Sequence, residues 1–397
     1  MVLKAFKLRL YPSKSQRNQM FVNFGCVRFV WNQMLNMQIE RHKNNKKAKF
    51  QNHFAMNNML KALKLEYPWL KQADSTSLQS VNRDLDDAFQ RFFNPKLKNG
   101  FPRFKSKKNA NQSYTAKSVN NNIQIIDKHH LKLPKLGLVY FRAGRLPQGK
   151  IKSATIRINS QNQYEASVLV EGENQTFNKT SKVVGIDLGL KDLIITSDGH
   201  KETIFKIDEE TNRKLKLWER KRSRRYELAK QAMAFDKHDK VLFPRTDLRQ
   251  FPRYQQAKRT VAKLKRHIAN QRKDKLHKLT IRLVKEYDVI VVENLSAKNM
   301  MQNHHLAKAI ANASWGMLVA LLKYKCAWYG KTLIIVDPEN TSRICFECKQ
   351  KNHEFDNLSQ SEWLAIREWG CPHCHAHLDR DINAAKNILA KGLETLA

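Results

Sequence analysis

Two groups of residues in this chain have types and spacing suited to chemistry. The first is four cysteines in two close pairs, Cys345-x-x-Cys348 and Cys371-x-x-Cys374. A two-residue gap lets neighbouring thiolates turn back onto one ion, and two such turns complete a tetrahedral all-sulfur shell of the kind Zn2+ takes. A closed shell leaves no position for a substrate, so a single structural zinc is expected. His373, His375 and His377 stand beside the second pair and could replace a ligand, but four cysteines suffice. The histidines are read as surface or phosphate-contacting groups. Cys26 and Cys326 stand apart from any partner and read as core thiols.

The second group is three acids far apart in the chain. In "VVGIDLG" the alternation turns Val184, Ile186 and Leu188 to one side and Gly185, Asp187 and Gly189 to the other. An isolated carboxylate in so apolar a strand is costly without a cation. "VIVVEN" sets Glu293 in the same way at the end of a strand, and "LDRDINAAKNIL" sets Asp381 at the start of an alanine-rich helix. Asp381 in that place also fits a helix N-cap. Asp379, two residues earlier, is the rival ligand, and is read as turning the chain or lying behind the ligands. Two acids on strands and one at a helix start can meet at one sheet edge. Carboxylates gathered there suit a pair of hard, oxygen-preferring ions, Mg2+ or Mn2+. Such a pair serves phosphodiester hydrolysis by activating a water and stabilising the leaving oxygen.

The elements that must position these groups belong to a strongly basic chain. Its 397 residues contain 73 Lys and Arg against 36 Asp and Glu, a formal net charge of +37. That excess opposes compaction unless a polyanion neutralises it, and nucleic acid is the commonest one. A membrane surface is the competing partner, but no apolar run has the length of a spanning helix and no signal-peptide pattern opens the chain. A soluble, cytoplasmic, nucleoid-associated protein is expected. A hydrophobic content of 41% in a chain of this length points to two or three domains.

"LKAFKLRLYP" alternates as a strand, with Tyr11-Pro12-Ser13 ending it. From Ser15 to about Leu97 the pattern is helical, and Leu78, Val81, Leu85, Phe89 and Phe92 make one stripe predicted to be buried. After a loop rich in Pro, Gly and Lys the period becomes two, predicting a small antiparallel barrel or sandwich that the first strand could join. Near Ser181 the chain changes to a mixed α/β sheet with a hairpin at Asp198-Gly199. A long basic helical region follows from about Thr211 to Glu286, broken near "FPRTDLRQFPR". Its charge fits either a solvated face or a nucleic-acid surface. Two more apolar strands, with a helix from about Ser314 to Tyr329 between them, precede the cysteine pairs.

The order Asp187, Glu293, Asp381, with the cysteines just before the last acid, resembles the RuvC-like nuclease domain of the TnpB family. These are insertion-sequence-encoded RNA-guided DNA endonucleases related to the type V CRISPR effectors. The motifs that carry the resemblance are "KLRLYPSKSQ", "FGCVRFVWN", "GFPRFKSK", "GIDLGLKDL", "VVENL", "TSRICFEC" and "WGCPHCHAHLDRDINAAKNIL", which span nearly the whole chain. The resemblance implies an α/β and β multidomain fold. Residues 1–14 and 106–180 would form an OB-like wedge barrel, interrupted by a helical recognition domain over 15–105. Residues 181–340 and 378–397 would form the RuvC-like (RNase H-like) domain, with a zinc ribbon inserted over 341–377.

By the same resemblance, Asp187, Glu293 and Asp381 would be catalytic and would hold the Mg2+ or Mn2+, and Cys345, Cys348, Cys371 and Cys374 would hold the zinc. The partners would be a guide RNA from the transposon end and target DNA beside a short transposon-adjacent motif. Gln79 and Asn82 on the predicted helix, and Tyr114 and Thr115 at the barrel entrance, are the candidates for nucleic-acid contact, since amides read adenine edges and hydroxyls hold phosphate. Two other classes fit the same residues: a nuclease-inactive RNA-guided DNA-binding repressor, and a transposase that joins strands through its own acids.

Overall fold

The structure, a computed structural model, describes residues 2–107, 112–159, 161–238, 248–295, 300, 302, 304–338 and 341–396. The chain divides between Glu173 and Asn174 into two compact units.

The first unit is a seven-stranded antiparallel sheet with helices inserted after its first strand. Strand β1 (Val2–Tyr11) runs straight into helix α1 (Lys14–Asn44). The joint is a capping box: Ser13 Oγ accepts the Gln16 N–H at 3.2 Å, and Gln16 Oε1 accepts the Ser13 N–H at 2.9 Å. Helices α2 (His53–Glu66) and α3 (Ser75–Phe93) follow, capped by Asn52 and Asp74. The predicted helical stretch is therefore three helices. The remaining strands are β2 (Gln112–Lys117), β3 (Gln124–Ile125), β4 (His130–Leu133), β5 (Gly137–Arg142), β6 (Lys150–Ile158) and β7 (Tyr164–Gly172).

The order across this sheet is β2-β6-β7-β1-β5-β4-β3, so β1 lies in its centre between β7 and β5. Its inward residues Leu8 and Leu10 share a core with Phe141 and Val168 of the sheet and with Phe24, Leu35, Leu78 and Leu85 of the helices. One predicted stripe residue departs from the rest. Leu78, Val81, Leu85 and Phe89 are buried, but Phe92, in the last turn of α3 beyond the reach of the core, is 37% exposed.

The second unit is built on a five-stranded mixed sheet. Its strands are β8 (Val183–Asp187), β9 (Asp192–Thr196), β10 (Lys201–Thr203), β11 (Val289–Glu293) and β12 (Thr332–Val336), in the order β10-β9-β8-β11-β12. Strands β8, β11 and β12 are parallel, while β9 and β10 fold back as antiparallel neighbours. Two long basic helices, α4 (Glu209–His238) and α5 (Pro252–Glu286), connect β10 to β11. The predicted break between them is in part outside the described residues, at 243–247. Helices α6 (His304–Ala313) and α7 (Trp315–Tyr329) precede β12. Next come α8 (Gln360–Ala365), the short hairpin of β13 (Glu368–Gly370) and β14 (His377–Asp379), and helix α9 (Arg380–Glu394). No helix among the described residues is long and apolar enough to cross a membrane.

Alternation splits the sheet between two layers. Val184, Ile186, Ile290 and Val292 face α5 and α7, in a core with Leu276, Leu283, Leu318 and Leu322. Val291 and Val336 face the other way, onto Ile388 of α9. Cys26 and Cys326 are buried in the first and second units, and burial pushes both thiols up to about 11.

Helix α9 reaches the sheet because glycines leave room for it. A Cβ at Gly185 would lie 2.1 Å from the Ala385 carbonyl oxygen and 2.7 Å from the Leu389 nitrogen, and one at Gly392 would lie 2.4 Å from a Val291 methyl carbon. Backbone stands on both sides of Gly185, so a side chain there cannot be accommodated by a rotamer change. Gly185→Ala is expected to push α9 off β8 and to cost about 3 kcal/mol, the upper end of overpacking penalties. Denaturant unfolding of the two proteins measures this, and a loss below about 0.5 kcal/mol would contradict the close approach.

Candidate active site

Asp187 is the last residue of β8 and Glu293 the last of β11. These strands are parallel neighbours with Ile186 opposite Val292, so their carboxylates leave the same edge of the sheet side by side. Asp381 comes from the first turn of α9, which the two glycines hold against that edge. All three acids line one cleft of about 440 Å3, together with Lys191, Trp315, Arg367 and Arg380.

The choice between the two acids of "DRD" is made by hydrogen bonds. Asp379 is the N-cap of α9: its Oδ1 accepts the N–H groups of Asp381 and Ile382, each at 3.0 Å. Its Oδ2 takes the ammonium of Lys201 at 2.6 Å. Capping thus falls to Asp379, and the Asp381 carboxyl has no capping role. That carboxyl instead accepts from Arg380 Nε at 3.0 Å and Nη2 at 2.7 Å, and from Arg367 at 3.4 Å. Arg380 is itself buried and donates to the Trp363 carbonyl at 3.0 Å. The sequence reading missed both arginines. The signal for Arg380 was its place between two acids at a helix start.

Burial and mutual repulsion perturb the carboxyls gathered in the cleft. Burial, then the neighbouring charges of Glu293 and Asp381, push the Asp187 carboxyl up to about 7. Burial also raises Glu293, against the opposing pull of the Thr341 hydroxyl bonded to it and of Lys391. An acid with a folded pKa near 7 and an unfolded one near about 3.9 holds its proton longer in the folded state, so it lowers stability progressively as pH rises between those values. Above about 7 the penalty is complete. In chelator, Asp187→Asn should therefore melt a few degrees above the parent at about pH 8 and close to it at about pH 4. Equal melting temperatures at both would contradict the strained carboxylate.

The four paired cysteines form one cluster, their sulfurs all within 4.8 Å of one another. The Cys345 and Cys374 sulfurs are 3.7 Å apart, and those of Cys348 and Cys371 are 3.6 Å apart. A tetrahedral zinc with bonds of about 2.3 Å needs sulfur separations of about 3.8 Å, so the residues fit that ion. His373, His375 and His377 are all exposed beside it. A small core of Phe355, Trp363, Trp369 and Leu378 backs the cluster.

Polar links tie this ribbon to the acidic cleft. Asn383 of α9 accepts the Phe346 N–H and donates to the Ile344 carbonyl, both at 2.8 Å. Asn387 donates to the carbonyls of Thr341 at 2.9 Å and Ile344 at 2.7 Å. Thr341 in turn bonds Glu293. The segment entering the cysteine cluster therefore also orients one of the three acids.

The nucleic-acid candidates in the first unit separate. Gln79 is exposed on α3, and Thr115 is half-buried on β2 with its hydroxyl 2.9 Å from that of Thr155. Asn82 is fully buried and its amide donates to Asn57 at 2.9 Å; Tyr114 is buried with its ring 5.5 Å from that of Phe24. Neither presents a surface to a ligand, which corrects the expectation for both. Asn82 is four residues after Leu78 and three before Leu85, so it belongs to the inward stripe of α3. Tyr114 alternates with Thr115 and takes the inward side of β2.

Three family models match the chain: "Helix-turn-helix domain" over residues 1–47, "Probable transposase" over 166–304 and "Cas12f1-like, TNB domain" over 315–388. The described part of residues 1–47 is one strand and one 31-residue helix. A Streptomyces pristinaespiralis protein named "Putative RNA-guided DNA endonuclease" is 32% identical over 100% of this chain and 91% of its own length. Escherichia coli (strain K12) "Putative RNA-guided DNA endonuclease InsQ" is 30% identical over 100% of this chain and 94% of its own. Among solved structures, the Cas12f1 chain of a complex with single-guide RNA and target DNA aligns with a TM-score of 0.51 and 12% identity, over 98% of each chain.

The structure is thus a multidomain α/β protein with a four-cysteine cluster, and its fold resembles that of Cas12f1. Identity over the full length carries the assignment further. The chain belongs to the TnpB family of insertion-sequence RNA-guided DNA endonucleases.

Proposed function

We propose that this protein is a transposon-encoded, guide-RNA-dependent DNA endonuclease that cleaves target DNA next to a short transposon-adjacent motif. The observation that carries the reading is the meeting of Asp187, Glu293 and Asp381 in one cleft, although they lie on separate stretches of chain. Full-length similarity to proteins named as such endonucleases supports it. The strand order β10-β9-β8-β11-β12, with the second strand antiparallel, supports an RNase H-like, RuvC-type nuclease sheet. The antiparallel sheet of the first unit, with three helices inserted after β1, supports a wedge carrying a recognition domain.

Asp187, Glu293 and Asp381 would hold two Mg2+ or Mn2+ ions, which supply an activated water and positive charge for the leaving oxygen. Thr341 orients Glu293, and Asp379 with Lys201 fixes the first turn of α9 so that Asp381 faces the cleft. Arg367 and Arg380, on Asp381 here, are placed to receive phosphate oxygens when that carboxylate turns to a metal. The zinc ribbon is structural. Base pairing with the guide reads most of the target, and Gln79 and Thr115 remain the candidates for contact with the adjacent motif.

The test is cleavage of a target plasmid by the protein purified with its copurifying RNA, in Mg2+. Target-dependent cuts are expected. Tight target binding without cuts would identify a repressor, and strand-transfer products would identify a transposase, the activity named by the family model over 166–304.

A further inference from the structure

The exposed Phe92 belongs to a second cavity, within the first unit. Phe89, Phe92 and Phe93 on the last turn of α3 gather with Phe50 and Phe101 round a space of about 360 Å3. That volume lies in the range of roughly 300–1,000 Å3 typical of small-ligand sites. The rings already interact: Phe89 and Phe93 are near parallel with centroids 5.8 Å apart, and Phe92 and Phe101 meet edge to face at 5.3 Å. Phe89 forms a buried floor, whereas Phe92, Phe93 and Phe101 are 37%, 53% and 46% exposed. Three adjoining aromatic faces left in water mark a contact surface more than a packing accident.

The opposite wall decides what contacts it. The end of α1 and the loop after it contribute Arg41, His42, Lys46 and Lys49, all exposed. Among the described residues, no carboxylate lines the cavity. A second copy of this chain docking here would bring two basic rims together, whereas a polyanion would neutralise them. Aromatic faces inside a positive rim are what an unpaired stretch of nucleic acid requires: bases stack on the rings and the backbone follows the cations.

We propose that this cavity is a stacking site for an unpaired nucleobase, with Arg41, Lys46 and Lys49 holding the flanking phosphates. The inference rests on the nucleic-acid function proposed above and adds a place where one base leaves its strand's own stack. It needs no base-specific hydrogen bond, so it should be tolerant of sequence.

The test uses the full-length protein and a short single-stranded oligonucleotide carrying one 5-iodouracil, in a ribo and a deoxyribo version. Photocrosslinked peptides are mapped by mass spectrometry. Crosslinks at Phe92, Phe93 or Phe101 are expected, and the more efficient version tells whether RNA or DNA supplies the base. Phe92→Leu with Phe101→Leu keeps both positions apolar but removes two ring faces, and should cut that crosslink about tenfold while total binding persists through the rest of the basic surface. Lys46→Ser with Lys49→Ser, at exposed positions that bear no core contacts, should reduce the same crosslink and its salt sensitivity. Crosslinks confined to other regions, or unchanged by both pairs of substitutions, would overturn the proposal. So would a dimer in sedimentation that the leucine pair dissociates, which would make the face an interface between copies. If the unmodified protein bound neither oligonucleotide, the nucleic-acid function itself would fall, a result distinct from binding without a crosslink here.

Discussion

Asp187→Ala should abolish target cleavage while leaving RNA binding intact. The substitution removes a carboxylate from the meeting point of β8, β11 and α9, and so removes a ligand from the proposed ion pair. Loss of charge stabilisation at that place is worth several kcal/mol, or about 10^3-fold or more in rate. RNA affinity depends on the chain's positive excess, a formal net charge of +37, against which one lost negative charge is a small change. The measurement pairs a plasmid-cleavage time course with RNA binding at two salt concentrations. Normal cutting by Asp187→Ala would remove this residue from the metal site. Equal loss of RNA binding would mean that the substitution had damaged the fold rather than the chemistry.

The second large effect is expected from the four-cysteine cluster. Cys371→Ala deletes one of four sulfurs, and in a small metal-held element the binding energy of the ion is folding energy. The ribbon's own core, chiefly Phe355, Trp363, Trp369 and Leu378, is too small to hold it without the ion. Unfolding there would release the Ile344 and Phe346 backbone from Asn383 and Asn387, and with it the Thr341 bond to Glu293. Cleavage should therefore fall although no cysteine touches the cleft. Limited proteolysis separates this case from Asp187→Ala: new cuts should cluster between residues 341 and 379, and bound zinc measured by elemental analysis should fall to near nothing. A Cys371→Ala protein that kept its zinc and its cleavage rate would sink the assignment.

The cysteine spacing and the acids at Asp187 and Glu293 were legible in the sequence because each depends on a few adjacent residues. A CxxC turn closes on itself, and a carboxylate in an apolar run is anomalous in its own strand. The same holds for β1, whose alternation marks it as a strand, although its central place between β7 and β5 rests on pairings with residues more than a hundred positions away. Helical period also placed Leu78, Val81, Leu85 and Phe89 on one face, but it could not tell where the core stopped, and Phe92 lies past its end.

What only the tertiary structure decided is which polar groups are taken up by partners remote in sequence. Asp379 rather than Asp381 caps α9 and binds Lys201, 178 residues away, which frees Asp381 for the cleft. Asn82 on the inward stripe of α3 finds a partner in Asn57, and Tyr114 on the inward side of β2 packs against Phe24, so two polar residues that read as surface are interior. Local pattern determined which chemistry the chain carries, because ligand type and spacing are properties of short segments. Where that chemistry meets depended on close approaches such as Gly185 against α9, which arise only when distant segments compete for the same space.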